Sequence, residues 1–524
     1  MRNLIKSFAL PLMAMACIVL LGSCSGKKDS AELLETYASS KDKVVATINL
    51  KQLVEQSGST IDDKGKLELS SEINAILKEV PSGVRSYIDY VIENEYLEYE
   101  NAIVTFDIQD EDNAQLLFAF NVKDSKKFIE QVGKDLGDKA KEKDGWWTLD
   151  LTEDIYLMTK DDTGMILCTP HGETPVRFME KLQKRAEDHP LAEDVAKRLT
   201  EGDKLINGFA HYEFDDNKIP SEISNLINSN KIGAFFTFNM EGKTWKTSLE
   251  LTTYDGKSAK GLFNGTVNPD LLEYAGKGHT AAILVGNVKE YLQFGASFLS
   301  YSEKAQVNQL AAILDGPAMI SGSVNIDEKM FKLKNDYEAA ERVSLSAAVT
   351  CANGRSGELI DMLAKLWGID QGAPDQITYA PGQSIKFAMD IPIYDRRAEY
   401  EYYSDSVAES TPERYAHLSL DIHTEGNLVV AYFNSTPGSN KLTSKTGDIK
   451  DSNIAIISDN MYSDLLAEMF GMKFGLEGTA TLKGNAISAT TTATNTDKTL
   501  LQCYLSLISD AVNKVKEERS KYDY

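Results

Sequence analysis

Cysteine and histidine are scarce in this sequence, with 5 and 6 residues among 524. Cys17 and Cys24 belong to an N-terminal segment, so the remaining body contains only Cys168, Cys351 and Cys503. Three cysteines without close spacing do not make a disulfide framework. We expect three buried free thiols; the alternative is one disulfide and one free thiol.

The histidines do not form a recognisable metal motif, and the sequence contains no His-Glu-x-x-His. Polar and apolar residues alternate from His417 to His423, so His417, Ser419, Asp421 and His423 share one face of a strand. Six residues of strand span about 20 Å, which is too far for the two histidines to bind one ion. We interpret this stretch as a solvated strand face.

An acidic hairpin tip contains Asp107, Asp110, Glu111 and Asp112. It lacks the glycine and the ligand spacing of an EF-hand loop. We interpret it as a solvated turn, with weak calcium binding as the alternative, and we predict that the protein has no metal and no cofactor.

Basic residues are fewer than acidic ones: the sequence has 55 Lys and Arg against 79 Asp and Glu, which gives a formal net charge of −24. Such a body repels nucleic-acid phosphate, and no basic stripe is present to overcome the repulsion. It is also repelled by anionic lipid headgroups. The composition therefore excludes nucleic acid as a partner and favours a soluble body.

Long apolar runs are rare as well, and the first one ends in Leu21-Gly22-Ser23-Cys24. Arg2 and Lys6 precede an apolar stretch over 8–21, which is typical of a secretory signal and too short for a spanning helix. A Leu three residues before a Cys resembles a bacterial lipobox. That resemblance implies a signal peptide at 1–23 and a diacylglycerol on Cys24, usually with an acylated amino terminus such as a palmitate amide. An ordinary signal with an incidental Cys is the alternative.

The same segment predicts where in the cell the protein is located. Lipoproteins that are retained at the inner membrane usually have an Asp directly after the lipidated Cys. This sequence has Ser25 at that position and does not resemble them. We therefore expect a protein attached to the outer membrane through its acyl chains, and we leave the periplasmic or surface face open. No later segment has the ~18 apolar residues that span a bilayer.

Catalytic motifs are missing or incomplete. Lys445-Thr446-Gly447 and Ser458-Asp459-Asn460 occur in penicillin-interacting serine enzymes, but here their order is reversed and no Ser-x-x-Lys precedes them on a helix. No Gly-x-Ser-x-Gly elbow, phosphate loop or dinucleotide fingerprint is present. We name no catalytic residue, and we interpret Trp146-Trp147 and the Tyr-rich loop at 396–414 as the candidates for binding.

Helical and hairpin patterns alternate along the chain. Hairpins are predicted around 103–120, a meander over 147–167, and three longer strands over 232–267, with helices between these blocks. This arrangement favours an α+β fold with mostly antiparallel sheets, each covered on one face by helices. A doubly wound parallel sheet fits poorly because hairpins are too many.

One pattern recurs. A short strand is closed by Asn49 and followed by a helix, and the same order occurs at Asn287. We interpret this as two similar halves at 43–278 and 279–524, joined to the lipid by a tether at 24–42. The alternative is that Asn simply caps many helices.

The block Val44-Val45-Ala46-Thr47-Ile48-Asn49-Leu50-Lys51-Gln52-Leu53, placed shortly after a lipobox Cys, also resembles the start of a family of Bacteroidota lipoproteins known only as a domain of unknown function. That resemblance implies a location in the cell envelope and does not imply any activity.

Taken together, the residues predict a lipid-anchored cell-envelope protein that acts as a non-catalytic binding or assembly component. The expected partner is a protein that the sequence does not identify. A lipid or glycan carrier and an envelope hydrolase with an unrecognised site are the alternatives.

Overall fold

The structure is a computed structural model of the chain. It describes residues 29–62, 66–78, 94–108, 114–137, 139–152, 154–169, 172–214, 231–261, 263–296, 298–325, 336–372, 374–393, 412, 414–438, 440–460 and 474–520. Cys24, the acidic tip at Asp110 to Asp112 and most of the Tyr-rich loop lie outside these residues. Helices and antiparallel strands occur together, which makes the protein α+β as predicted.

Eleven α-helices lie in the described residues: α1 Ser30–Tyr37, α2 Leu50–Ser57, α3 Ser71–Leu77, α4 Ser125–Leu136, α5 Pro175–Asp188, α6 Glu193–Thr200, α7 Val288–Ala296, α8 Tyr301–Ile313, α9 Asp336–Glu341, α10 Ser356–Leu366 and α11 Leu500–Ser520. Three 3₁₀ helices lie at Pro269–Tyr274, Ile369–Gln371 and Leu442–Ile449.

The chain divides into two compact units. Of the described residues, those within 29–214, 231–259 and 497–520 belong to the first unit and those within 260–496 belong to the second. The division therefore falls at 259/260 instead of the 278/279 expected from the repeated Asn, and α11 belongs to the first unit. Such a return of the C terminus has no local signal in the sequence.

The first unit is built on one antiparallel sheet. Its strands are β1 Val44–Asn49, β2 Thr60–Ile61, β3 Leu67–Glu68, β4 Leu97–Ile108, β5 Ala114–Val122, β6 Lys141–Lys143, β7 Trp146–Asp150, β8 Ile155–Lys160, β9 Thr163–Cys168, β10 Ile206–Glu213, β11 Lys231–Glu241 and β12 Thr244–Thr253. The sheet runs in the order β12-β11-β10-β1-β4-β5-β9-β8-β7-β6, while β2 and β3 pair only with each other.

Both faces of this sheet are buried. On one face Ile48, Phe118 and Phe120 pack with residues of α2, α3, α4 and α11. On the other, Val45, Ile103 and Leu117 pack with α1, α5 and α6. The expectation of helices on one face only is therefore wrong for this unit.

Residues 29–42 are not a free tether. Leu33, Leu34 and Tyr37 of α1 are 0 to 3% exposed within the core. The hydroxyl of Ser39 donates to the carbonyl of His189 at 2.9 Å, which holds the segment after α1 against the end of α5. The helix α1 packs in the body of the protein because its apolar side is buried there.

The second unit contains ten antiparallel strands. Its strands are β13 Ala281–Val285, β14 Leu314–Val324, β15 Val343–Cys351, β16 Ile377–Ala380, β17 Ser384–Ile393, β18 Arg414–Glu425, β19 Leu428–Phe433, β20 Ile454–Asp459, β21 Gly475–Lys483 and β22 Ala486–Thr494. They run in the order β22-β21-β20-β13-β14-β15-β19-β18-β17-β16.

Several local predictions are confirmed and others are not. The hairpin of β4 with β5 and the meander of β7 to β9 form where hydrophobic alternation and turn residues predict them. A third long strand ending at Val267 does not form, because only two strands, β11 and β12, lie in that stretch. β14 was not predicted, since Gly316, Pro317 and Gly322 interrupt its alternation.

Candidate binding surface

Three isoleucines form an exposed row on the second unit. Ile283 of β13 lies directly opposite Ile320 of β14 on one side and Ile456 of β20 on the other. Directly opposed residues of antiparallel strands carry their side chains on the same face. These side chains are 49%, 55% and 45% exposed, respectively. We call Ile456, Ile283 and Ile320 the isoleucine row.

The surroundings of the row are also uncharged. The adjacent positions on this face are Val285, Ala318 and Ile454 on one side, and Ala281, Gly322 and Ser458 on the other. The row continues into Ala480 of β21 and Ala347 of β15. An antiparallel sheet normally turns polar side chains to water on its solvated face. A contiguous apolar area on such a face marks an interaction site.

The opposite face of the same strands is an ordinary core. Ala282 and Leu284 of β13 are buried with Met319 and Ile457 beneath the 3₁₀ helices at 269–274 and 442–449. On the face of the isoleucine row, α7, α8 and α10 pack over a neighbouring cluster that includes Leu314 and Cys351. The row is not a member of that cluster, so these helices cover only part of the face.

A buried histidine offers the most enzyme-like arrangement of the second unit. His279 is 2% exposed, its Nε2 lies 3.0 Å from Ser344 Oγ and 3.1 Å from Ser435 Oγ, and its Nδ1 lies 2.8 Å from Ser321 Oγ. Burial lowers the pKa of His279. Serine hydroxyls beside a neutral histidine are the start of a nucleophile–base pair.

The hydrogen bonds of His279 favour one tautomer. The backbone N–H of Gly276 donates to Nδ1 at 3.1 Å as well as to Ser346 Oγ at 3.0 Å, which favours an Nδ1 without a proton. In a neutral imidazole the proton then sits on Nε2, which donates to the serines. The unprotonated Nδ1 faces Ser321 and Ser346, which are each 2% exposed and therefore out of reach of a substrate. The cluster is therefore a satisfied buried network that joins the segment before β13 to β14 and β15.

A pocket of about 510 Å³ opens beside this network over β16 to β19. Ser435 and Tyr432 line it together with Lys386 and Asp421, whose charged groups lie 2.8 Å apart. Asp421 also accepts a contact from His423 at 3.0 Å. The charged groups of Lys386 and Asp421 in its wall are thus already paired within the protein.

The histidines predicted to lie on one strand face are both on β18, and each pairs with a carboxylate. His417 contacts Asp390, while His423 contacts Asp421 and Glu425. Within the described ranges no group of three His, Cys, Asp or Glu side chains is placed to hold a metal ion.

The other residues singled out by sequence are dispersed. Lys445 pairs with Glu477 at 2.7 Å, and Ser458 lies on β20. Trp146 is 1% exposed in the core, as expected for one member of the pair, and Lys126 lies over the ring of Trp147. No disulfide joins Cys168, Cys351 and Cys503; Cys351 and Cys503 are buried, and Cys168 is partly exposed.

Sequence reasoning missed the isoleucine row because Ile283-Leu284-Val285 is a continuous apolar run, in which nothing local tells one face from the other. It also missed a buried cluster of the first unit, where Arg185 contacts Asp42 and Asp107 beside His211. Burial, together with Lys43, lowers the pKa of His211.

Comparison with known proteins adds little. No protein-family model matches the chain, and no curated protein matches it. Crystal form I of TP0453 is similar to 46% of this chain and to 83% of its own chain, with 12% identity and a TM-score of 0.27. Crystal form III is similar to 44% of this chain and 78% of its own, with 10% identity and a TM-score of 0.22. Such scores establish no relationship on which a function can rest.

Proposed function

We propose that this protein is a lipid-anchored, non-catalytic binding component of the bacterial cell envelope. The anchor is Cys24, at the end of the lipobox-like Leu21-Gly22-Ser23-Cys24. The docked helix α1 leaves only residues 24–28 between that Cys and the first described residue, Asp29. Five residues reach at most about 18 Å, so the anchor holds the first unit close to the bilayer. No helix in the described residues is long and apolar enough to cross a membrane.

Replacement of the anchor residue tests this part of the proposal. Cys24→Ser should move the full-length protein from the membrane pellet to the soluble fraction, because two or three acyl chains supply stable attachment. Ser25→Ala is the matched control and should remain in the pellet. A Cys24→Ser protein that stays with the membrane contradicts lipid anchoring.

The two units descend from one duplicated domain in this proposal. What supports it is the strand order: the ten-strand order of the first unit becomes that of the second when β1, β4 to β9 and β10 to β12 are replaced in sequence by β13, β14 to β19 and β20 to β22. Ten antiparallel strands can be ordered in many ways, so coincidence is a poor explanation. Asn49 and Asn287 accept hydrogen bonds from Gln52 and Lys289 at the start of the helices after β1 and β13.

The duplication indicates what the isoleucine row binds. Between β1 and β4 the chain supplies α2 and α3, whose Leu50, Val54 and Ile73 pack onto the sheet. The matching connection between β13 and β14 supplies only α7 and α8, which leave the row open. A helix with an apolar side therefore fits the place left open. The charge of −24 favours a helix flanked by Lys and Arg. The occupant in this proposal is such an amphipathic helix of a partner protein.

Photo-crosslinking in cells tests this assignment. A photoreactive residue at Ile320 should give one adduct with a second protein, and the crosslinked peptide should be an apolar helix with basic flanks. The matched control is Leu366, which is 77% exposed at the end of α10 and should give no such adduct. Ile283→Asp should abolish the adduct at Ile320, whereas Leu366→Asp should leave it unchanged.

Other outcomes at Ile320 contradict the proposal. An adduct with lipid alone supports a carrier of acyl chains, and an adduct of twice the chain mass supports a second copy of the protein. An equal adduct at Leu366 means that contact is unspecific. Envelope hydrolysis remains the weaker alternative, because the unprotonated Nδ1 of His279 faces Ser321 and Ser346, which are both buried.

A further inference from the structure

The turn between α7 and α8 exposes an unusual set of large apolar side chains. Phe298, Leu299 and Tyr301 are 52%, 42% and 92% exposed. We call these three residues the aromatic tip. They lie within residues 291–302, which contain no Asp, Glu, Lys or Arg, although such residues make up 26% of the chain. An apolar turn without charge is costly to leave in water, so its exposure calls for a partner.

The tip is held in a fixed conformation. The backbone N–H groups of Phe298 and Leu299 donate to the carbonyls of Gly295 and Ala296, both at 3.2 Å. A capping box then starts α8, because the carboxylate of Glu303 accepts the backbone N–H of Ser300 at 3.0 Å and also its hydroxyl. The exposed side chains are therefore presented by hydrogen-bonded backbone.

A line of aromatic rings supports the tip from behind. The ring of Phe298 lies 5.4 Å from that of Phe294, which lies 5.7 Å from Phe263. Phe263 is 4.1 Å from Tyr291, whose hydroxyl donates to the carbonyl of Asn453 at 2.9 Å. These edge-to-face and tilted ring contacts, with the hydrogen bond of Tyr291, connect the helical turn to the segment before β20.

We propose that the aromatic tip inserts into the interfacial region of the membrane to which the protein is anchored. Phe, Leu and Tyr are side chains that partition at the headgroup boundary, with the Tyr hydroxyl toward water. The acidic body is repelled by anionic headgroups, so this contact works through apolar insertion and needs no anionic lipid. The inference rests on the proposed anchoring, since a short spacer keeps the protein at the bilayer and makes a weak second contact effective.

The test uses the mature chain with an N-terminal His-tag in place of the acyl chains. The tag tethers every variant to phosphatidylcholine vesicles that contain a nickel-chelating lipid, so the result does not depend on lipidation of Cys24. Tyr301→Trp reports insertion through quenching by brominated acyl chains, relative to the wild-type chain with its 4 Trp residues. Leu366→Trp, at another exposed apolar position, is the matched control.

We expect the fluorescence added by Tyr301→Trp to be quenched and that added by Leu366→Trp to be unaffected. Adding Phe298→Ser and Leu299→Ser to Tyr301→Trp should remove the quenching. The affinity of the untethered chain for the same vesicles should fall about tenfold or more with the two serines. Quenching should be equal at about 0.1 and 0.5 M salt, because it does not depend on charge.

Equal quenching at Tyr301→Trp and Leu366→Trp overturns the inference, as does binding that requires anionic lipid. Both serine substitutions are at exposed positions, and circular dichroism establishes that the variants fold. A failure of Cys24 lipidation would appear only in the fractionation experiment and would leave this measurement intact.

Discussion

Arg185 of α5 donates to the carboxylate of Asp42, the residue that leads the chain into β1. The Asp42 side chain is 1% exposed and that of Arg185 is 21% exposed. The same guanidinium contacts Asp107 of β4 at 3.3 Å. One cation therefore links the segment after α1 to the sheet.

Removal of this cation should destabilise the first unit. Arg185→Ala leaves two buried carboxylates without their partner, and breaking a buried pair in this way costs about 3 kcal/mol. The free energy of unfolding, measured with urea, should fall by that order. Arg177→Ala, at an exposed position of the same helix, is the control and should change it by no more than about 0.5 kcal/mol. Equal effects of the two substitutions contradict a buried pair.

The free energy of unfolding should depend on pH through the ionisation of Asp42. Burial raises the pKa of Asp42 from 3.8 to about 6, although Arg185 and the N–H of Ser39 act in the opposite direction. Between these values the folded chain keeps a proton that the unfolded chain has released. Stability from this group is therefore lost as pH rises from about 4 through about 6.

The comparison with Asp42→Asn isolates that contribution. The free energy of unfolding of wild type minus that of the variant should decrease across this pH window, by on the order of 3 kcal/mol. Urea titrations at several pH values give the difference. An increase with pH would mean that the ion pair outweighs burial and that the pKa of Asp42 is lowered instead.

The two capping asparagines should contribute similarly. Asn49 accepts the backbone N–H of Gln52 at 2.9 Å, and Asn287 accepts that of Lys289 at 3.0 Å. Asn49→Ala and Asn287→Ala should each lower the free energy of unfolding by about 1 kcal/mol. Asn→Ser at either position keeps a capping oxygen and should retain most of the stability. Unequal losses, with no effect at Asn287, would contradict a shared role for the two residues.

The serines around His279 should be unreactive. With the proton of His279 on Nε2, neither Ser344 nor Ser435 has a base to activate it. Ser321 faces the unprotonated Nδ1 but is only 2% exposed. A fluorophosphonate probe should therefore leave the purified protein unlabelled, as read by intact-mass spectrometry. Stoichiometric labelling at Ser435 that disappears in His279→Gln would reverse this conclusion and favour the hydrolase.

Secondary-structure elements were predictable where they depend on interactions between residues that are close in sequence. The β4–β5 hairpin and the β7–β9 meander follow from alternation of period two and from turn residues, both of which lie within a few positions of each other. Trp146 in the core follows from the opposite directions of adjacent strand side chains. β14 was not predicted because Gly316, Pro317 and Gly322 interrupt its alternation of polar and apolar residues.

The sequence by itself determined the α+β class, the acidic body and the scattering of potential metal ligands. Tertiary structure alone decided which apolar residues are covered. Ile283 and Leu284 are adjacent, alike in hydrophobicity and on one strand, yet Leu284 is fully buried and Ile283 is half exposed. The reason is that burial depends on partners distant in the chain: Leu284 meets the 3₁₀ helices at 269–274 and 442–449, whereas α7 and α8 stop short of Ile283.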